Sequence, residues 1–366
     1  MLIKRIELLT GRIPLEVPFR IATMEVRDTE SLFVRISDSE GNTGTGEGNP
    51  FRSIVGETIG TVFAAAEALA PLLLGKNAFA FHEHAKTMED FLPNNVTSRS
   101  AFDIALWDLA ARRACMPLYA FLGGSRRALI SDNTIGLFSP EVMAERARSF
   151  VRKGYNAVKI KLGTDASLDI ERVRAIRKAV GSEVLLRVDA NQGWSFPDAV
   201  KVLTAIEKWN IEYCEQPLPA DRFDQLRELR RRTSIPIMAD ESLFSVSDAL
   251  RLIKEESCDL FNIKLSKSAG ITGALAIASL AEASGIECMI GCMSESRIYQ
   301  SAAAHLASAR PIFRYADLDG PLMHTIDPVI GGAVYEGATI TPGDAPGHGA
   351  VLDEKAIAID RRLVLE

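Results

Sequence analysis

The segment from Asn156 to Gly193 reads NAVKIKLGTDASLDIERVRAIRKAVGSEVLLRVDANQG. Each end is a short apolar run that closes on polar residues, and an amphipathic stretch lies between them. This is the pattern of a strand, a helix and a second strand. The interval then repeats. From Lys161 to Asp189 is 28 residues, followed by 26 to Glu215, 25 to Asp240, 24 to Lys264, 28 to Cys292 and 25 to Asp317. A further run, ISDNTIGL (130–137), precedes the series, and Ser139-Pro140 offers an N-cap and first helical residue for a helix closing near Gly154. Eight such units in succession are what a (β/α) barrel of the TIM type requires. A doubly wound sheet would carry a glycine-rich phosphate turn after its first strand, and the chain has none.

Outward from the barrel, assigned to 126–325, the rhythm changes. Residues 1–125 alternate first, in IKRIELL (3–9) and SLFVRIS (31–37), and then turn helical at about 56–73, 80–91 and 98–116. The last window has Phe102, Leu106, Leu109 and Arg113 at helical spacing and stops at Pro117. Strands followed by helices read as a compact α+β unit. GNTGTGEG (41–48) reads as turn and strand-edge punctuation, and without a clear helix after it GTGEG is too weak a signal for phosphate binding. Residues 326–366 are rich in Gly and Pro, with two short strand-like runs, and are expected to pack back on the first unit.

Composition narrows the function classes. The 366 residues carry 42 basic and 48 acidic side chains, a net charge of −6. With no Lys/Arg cluster, nucleic acid and anionic membrane are excluded as the main partner. The apolar stretch 61–74 is broken by Glu67 and Pro71 and is too short to span a bilayer. The opening MLIKRIELL lacks the apolar core of a secretory signal. Five scattered cysteines, Cys115, Cys214, Cys258, Cys288 and Cys292, form no metal-type pairing, and the odd number suits a reducing cytoplasm.

The chemistry gathers where the runs end. On a strand, Lys159 and Lys161 share a face about 6.6 Å apart along the chain. At an effective dielectric near 20 their repulsion is roughly 2.5 kcal/mol, enough to bring one amine toward the working range of a general base. Asp189, Glu215 and Asp240 end three consecutive strands. Three carboxylates converging on one barrel mouth require a hard cation between them, and all-oxygen ligation points to Mg²⁺, with Mn²⁺ as a substitute. Lys264 ends the sixth strand, opposite the second, so Lys161 and Lys264 face each other across the mouth; Lys267 reads as solvated. A carbon held between two amines can lose a proton to one and regain it from the other, with a metal stabilising the enediolate formed in between. Asp317 and Asp319, on one face at the end of the eighth strand and away from the metal trio, call for a cationic partner, met by a substrate ammonium or by a loop salt bridge to Arg314 or another basic side chain. Thr134 could hydrogen-bond substrate or cap, and Cys292 could line the pocket without chemistry. The five histidines (82, 84, 305, 324, 348) do not end the first seven strands, which disfavours a histidine dyad.

KIKLG (159–163), VDANQGW (188–194), EQP (215–217), ADES (239–242) and NIKLSK (262–267), in this order and spacing, resemble the enolase superfamily in its muconate-lactonising subgroup. The added DLDG (317–320) resembles the dipeptide epimerases. The resemblance covers essentially the whole chain. It implies a modified (β/α)₇β barrel under an α+β capping domain, Mg²⁺ on Asp189, Glu215 and Asp240, and Lys161 and Lys264 as acid/base pair. It further implies that Lys159 helps hold the substrate carboxylate, and that Asp317 with Asp319 binds the N-terminal ammonium of a dipeptide. The cap loops expected to touch the substrate side chain are 18–26 and 49–57. Ala-Glu epimerases of the family usually place an arginine where this chain has Met24, with Arg20 nearby; branches favouring cationic side chains add acidic residues where this chain has Phe51 and Ser294. Met24, Phe51 and Ile54 suggest an apolar or neutral second residue. Rival readings are muconate cycloisomerisation or o-succinylbenzoate synthesis on the same site, whose substrates lack an ammonium for Asp317 and Asp319, and a non-catalytic binding protein. Self-association is left open.

Overall fold

The computed structural model describes residues 2–366. Eight parallel strands succeed one another around a ring: Asn133–Ile135, Ala157–Lys161, Leu185–Asp189, Ile211–Glu215, Ile237–Ala239, Leu260–Lys264, Glu287–Gly291 and Phe313–Asp317. A bridge between Ser131 and Ala316 brings the first and last edges together. Seven helices lie between the strands, from Pro140–Arg152 to Arg297–Ala309, and only a 3₁₀ turn, Gly320–Met323, follows the eighth. The architecture is a nearly closed (β/α)₇β barrel with an antiparallel cap sheet beside it.

Period-two alternation sorts the side chains. Val158, Ile160, Leu186 and Val188 enter the apolar layer between strands and helices, which leaves Lys159, Lys161, Arg187 and Asp189 for the barrel interior. Low in the barrel, Tyr213, Met238, Leu260 and Met289 pack with Tyr315. Arg187 lies against both tyrosine rings and ion-pairs with Asp132 at 2.8 Å and Glu212 at 2.7 Å. The mouth above this layer is polar.

The cap sheet orders the last strand of the chain, Ala358–Leu365, beside Ile3–Arg20, then Glu25–Asp38 and Thr43–Gly48. Helices Ile59–Leu73 and Val96–Arg113 cover one face and share its core with Ile6, Leu8, Val34 and Ile36. GTGEG (44–48) forms all but the first residue of the strand Thr43–Gly48, which corrects its reading as punctuation, while Gly41 before it lies in the turn. Gly44, Gly46 and Gly48 share one face, and a Cβ on any of them would collide with the carbonyl oxygens of Ala105, Ala101 and Thr97 respectively. Two strand residues rise about 6.6 Å and four helix residues about 6 Å, so a glycine at every second strand position meets every fourth helix residue. Strand and helix backbones touch because nothing stands between them.

The tail forms four short strands and one of eight residues, instead of two short runs. Val334–Glu336 and Thr339–Thr341 pair beside Leu129–Ile130 at the foot of the barrel, and Ala358–Leu365 joins the cap. Val329, Ala350, Leu352 and Ile357 fill the space between cap residues Leu9 and Phe33 and barrel residue Ile298. Among the described residues no helix is long and apolar enough to cross a membrane.

The glycine contact yields a test. Gly46→Ala is expected to lower stability by about 1–3 kcal/mol through overpacking. Gly60→Ala, whose nearest neighbour is Thr58 Oγ1 at 3.9 Å, is expected to be neutral or stabilising. Equal melting temperatures for the two variants would contradict the packing account.

Candidate active site

The mouth is built from one or two residues per strand. Lys161, Asp189, Glu215, Lys264 and Asp317 are the last residues of the second, third, fourth, sixth and eighth strands, and Asp240 directly follows the fifth. Lys161 and Lys264 stand four strands apart on an eight-strand ring, hence on opposite sides, with the three carboxylates between them on one flank. Lys161 Nζ donates to Asp189 Oδ2 at 2.6 Å, and Lys264 Nζ to Asp240 Oδ2 at 2.8 Å. Lys159 Nζ sits centrally, 2.6 Å from Glu215, 2.7 Å from Asp317 and 3.2 Å from Asp189.

These partners reverse one expectation. Burial pulls the Lys159 ammonium down, but Asp317, Glu215 and Asp189 outweigh it and hold this lysine well above its ordinary value. Lys264, although buried, is likewise raised by Asp240 and Glu215. Repulsion between neighbouring lysines is therefore not the governing effect, because carboxylates from the third, fourth and eighth strands lie closer to Lys159 than two residues of strand rise. Nor is Asp317 away from the trio: it shares Lys159 with Asp189 and Glu215. Arg314 approaches Glu287 instead, at 3.6 Å. Burial alone would raise Asp317, yet Lys159 and Lys161 bring it down to about 2; Asp319, buried beside Asp317 without a lysine of its own, is pushed up to about 6. Thr134 supports both, its N–H donating to Asp319 at 2.7 Å and its hydroxyl to Asp317 at 3.4 Å. The Cys292 thiol is buried close by and held protonated by burial and by both aspartates.

Counting charges tests the fit of a cation. Six buried carboxylates (Asp189, Glu215, Asp240, Glu241, Asp317 and Asp319) face four buried lysines (Lys159, Lys161, Lys264 and Lys267), and six minus four leaves two negative charges. The shortfall is visible as protonation. Burial and Asp189 push Glu215 up to about 7, and burial with Asp240 and Asp189 pushes Glu241 to about 8. Glu241 Oε2 and Asn191 Oδ1 are buried without a hydrogen-bond partner, while Glu215 Oε2 and Asp240 Oδ1 meet only a lysine ammonium each, Lys159 at 2.6 Å and Lys267 at 2.5 Å. Among the described residues no ready-made cluster of three metal-binding side chains is present, since lysine ammoniums stand between the carboxylates. The donors are all oxygen with unspent lone pairs, and the missing charge equals one divalent cation. The chemistry of the site fits such an ion.

Two cap segments close over the mouth. The turn after Ile3–Arg20 is held by Leu137 N–H donating to Arg20 O at 2.9 Å, and it places the Phe19 ring 6.0 Å from Lys161 Nζ. Thr23 Oγ1 donates to Ser53 Oγ at 2.9 Å, joining the two segments. Met24, Phe51 and Ser294 line a cavity of about 360 Å³, and Phe51 packs with Met293, Ile21 and Ile54. The Arg20 side chain is exposed beside a different groove, with Leu137 and Arg172.

Comparison with known proteins decides the family. Residues 5–123 match the mandelate racemase / muconate lactonizing enzyme N-terminal domain, and residues 142–356 the enolase C-terminal domain-like family. The chain belongs to the enolase superfamily. It is similar to the D-Ala-D/L-Ala epimerase of Cytophaga hutchinsonii, 42% identical over 92% of both chains. It is also similar to the hydrophobic dipeptide epimerase of Enterococcus faecalis, 40% identical over 95% of this chain and 99% of that one. The crystal structure of the Cytophaga hutchinsonii dipeptide epimerase, complexed with Mg and D-Ala-L-Val, superposes with a TM-score of 0.97 over the whole of both chains at 39% identity.

Within this enolase-superfamily mouth the sequence reading missed several residues. Lys267 is buried, not solvated: its Nζ lies 2.5 Å from Asp240 Oδ1 and donates to the carbonyls of Asp240 and Asn262. Asn262 Nδ2 donates to Glu215 at 2.7 Å, and its position two residues before Lys264 was a readable signal of the same strand face. Gln216 Oε1 accepts the N–H groups of Asp240 and Ser242, tying the fourth strand to the fifth. Lys267→Met should cost about 3 kcal/mol or more in urea unfolding, since it strips a buried carboxylate of one partner. The exposed Lys254→Met should stay within about 0.5 kcal/mol. Equal effects would return Lys267 to a solvated role.

Proposed function

We propose that the chain is a Mg²⁺-dependent dipeptide epimerase that inverts the α-carbon of the C-terminal residue of an L,L-dipeptide. The observation that carries this reading is the pair of opposed lysines, Lys161 and Lys264, with carboxylates on the flank between them. Asp189, Glu215 and Asp240 would hold the ion. When bound, it supplies positive charge to carboxylates now spent on lysine and stabilises an enediolate on the substrate's carboxylate. Lys161 and Lys264 act on opposite faces of the α-carbon, one taking its proton while the other returns one. Lys159 favours the substrate carboxylate by charge. Asp317 and Asp319, fixed by Thr134, present negative charge to the substrate ammonium. The cap segments exclude water from the closed mouth. The five cysteines are free, which suits a reducing compartment such as the cytoplasm.

The second residue of the dipeptide is apolar or neutral on this reading. Support comes from the apolar cluster of Phe51, Met293, Met24 and Ile54 beneath the cap.

Incubation with Mg²⁺ and pooled L,L-dipeptides in D₂O tests the reaction. A one-unit mass gain at the C-terminal residue, with L,D product, is expected. No exchange in any pool, from protein that binds Mg²⁺, would discard the dipeptide assignment in favour of succinylbenzoate- or muconate-type acids. Met24→Arg is expected to shift preference toward acidic second residues by about tenfold in kcat/KM; an unchanged profile would remove Met24 from the pocket.

A further inference from the structure

GTGEG contains one side chain that the reaction does not use. Glu47 lies on the cap strand Thr43–Gly48 and is fully buried, and its carboxylate reaches across to the barrel. Oε1 accepts from Ser31 Oγ at 2.7 Å and from Ser296 N–H at 2.9 Å. Oε2 accepts from Ser296 Oγ at 2.6 Å and from Tyr299 N–H at 3.1 Å. Three of these four donors belong to the start of the helix Arg297–Ala309, which follows the seventh strand. A buried carboxylate there satisfies N–H groups that the helix leaves free and matches its dipole.

Tyr299, in the first turn of that helix, carries the connection onward. Its hydroxyl accepts Leu265 N–H at 2.8 Å and donates to Gly291 O at 3.1 Å. Leu265 is bonded to Lys264. The same loops are joined again by Ser266 Oγ donating to Glu295 at 2.9 Å, while Thr29 of the cap donates to Ser294 O at 2.9 Å. On the opposite side the cap meets the end of the Lys161 strand by packing: Phe19 over the ammonium, and Ala22 against Gly163. The cap is therefore wired by hydrogen bonds to the backbone carrying Lys264 and only packed against the end that carries Lys161.

We propose that Glu47 and Tyr299 are positioning residues for Lys264, fixing its strand end relative to the cap through the start of the helix Arg297–Ala309. The inference rests on the two-lysine reading above. A positioning residue of this kind sets the distance of one amine from the α-carbon, so its loss slows proton transfer on one face of the substrate. A residue that merely holds the fold would slow both.

The test measures α-proton exchange in D₂O with Mg²⁺-loaded protein, separately on the L,L and L,D epimers. In each exchange the C–H bond breaks, the amine takes the proton, and the ammonium returns a deuteron from solvent. Lys161→Ala and Lys264→Ala should each confine exchange to one epimer; if they do not, the two-lysine reading and this inference fall together. Tyr299→Phe, which keeps the ring, and Glu47→Gln are then placed in both backgrounds. In Lys161→Ala, each is expected to lower exchange through Lys264 about tenfold. In Lys264→Ala, exchange through Lys161 should stay within about twofold, with the Mg²⁺-induced shift in Tm unchanged. An equal fall on both faces, or no fall on the Lys264 face of Tyr299→Phe, overturns the positioning role while leaving the two-lysine reading intact. Failure of Glu47→Gln to fold leaves Tyr299→Phe to decide.

Discussion

A carboxylate withdrawn from water must find positive charge or take up a proton, and the barrel mouth gathers more carboxylates than its lysines can satisfy. Asp189, Asp240 and Asp317 win lysine partners and stay below the usual carboxylate range despite burial. Glu241 and Asp319 have no lysine of their own, and Glu215 shares Lys159 with two other carboxylates; all three are raised. The same imbalance that would destabilise an ordinary core fits a divalent cation and, on the proposed reading, a substrate that brings its own ammonium. Lysines tied to carboxylates are acids; a site that uses one as a base must first redistribute that charge. The ion and the substrate are, on this account, what redistributes it.

The architecture serves that concentration of charge. A ring of eight parallel strands sends alternate side chains inward, so residues 24 to 28 apart in sequence arrive side by side at one end. Beneath them Arg187, shared between Asp132 and Glu212 and lying against Tyr213 and Tyr315, floors the interior. Above them the cap closes, held to the barrel by Glu47, by Thr29 and by the tail strands that fill the seam near Phe33 and Ile298. Closure of the cap removes water from groups whose interactions strengthen as the dielectric falls.

Much of this was legible in the sequence, for a physical reason. A strand and its returning helix need a nearly fixed length of chain, so the barrel announces itself as a period, and the mouth residues fall at its beats. The same rule brought Lys161, Asp189, Glu215, Asp240 and Lys264 together, and placed Asp317 at the mouth though apart from the trio it in fact joins through Lys159. What periodicity does not carry is contact between strands. Lys159 and Lys161 were weighed against each other because they adjoin in sequence, whereas the governing partners of Lys159 come from the third, fourth and eighth strands. Lys267 looked solvated because it lies past the end of a strand, yet the chain turns there, Lys267 N–H donating to Lys264 O at 3.0 Å, and the side chain passes under Asp240. The glycines of GTGEG were invisible as packing residues because the helix they touch lies more than forty residues on.

The central claim, that the mouth lacks the charge of one divalent cation, is most directly tested by calorimetric titration of Mg²⁺ into metal-free protein. Comparing buffers of different ionisation enthalpy counts the protons displaced. At pH 7, Glu215 (about 7) and Glu241 (about 8) hold protons in the metal-free protein that a bound cation would expel. The account predicts one ion per chain with net proton release at pH 7, the release shrinking as pH rises above about 8. Binding without proton release at pH 7, or no binding at all, would contradict it.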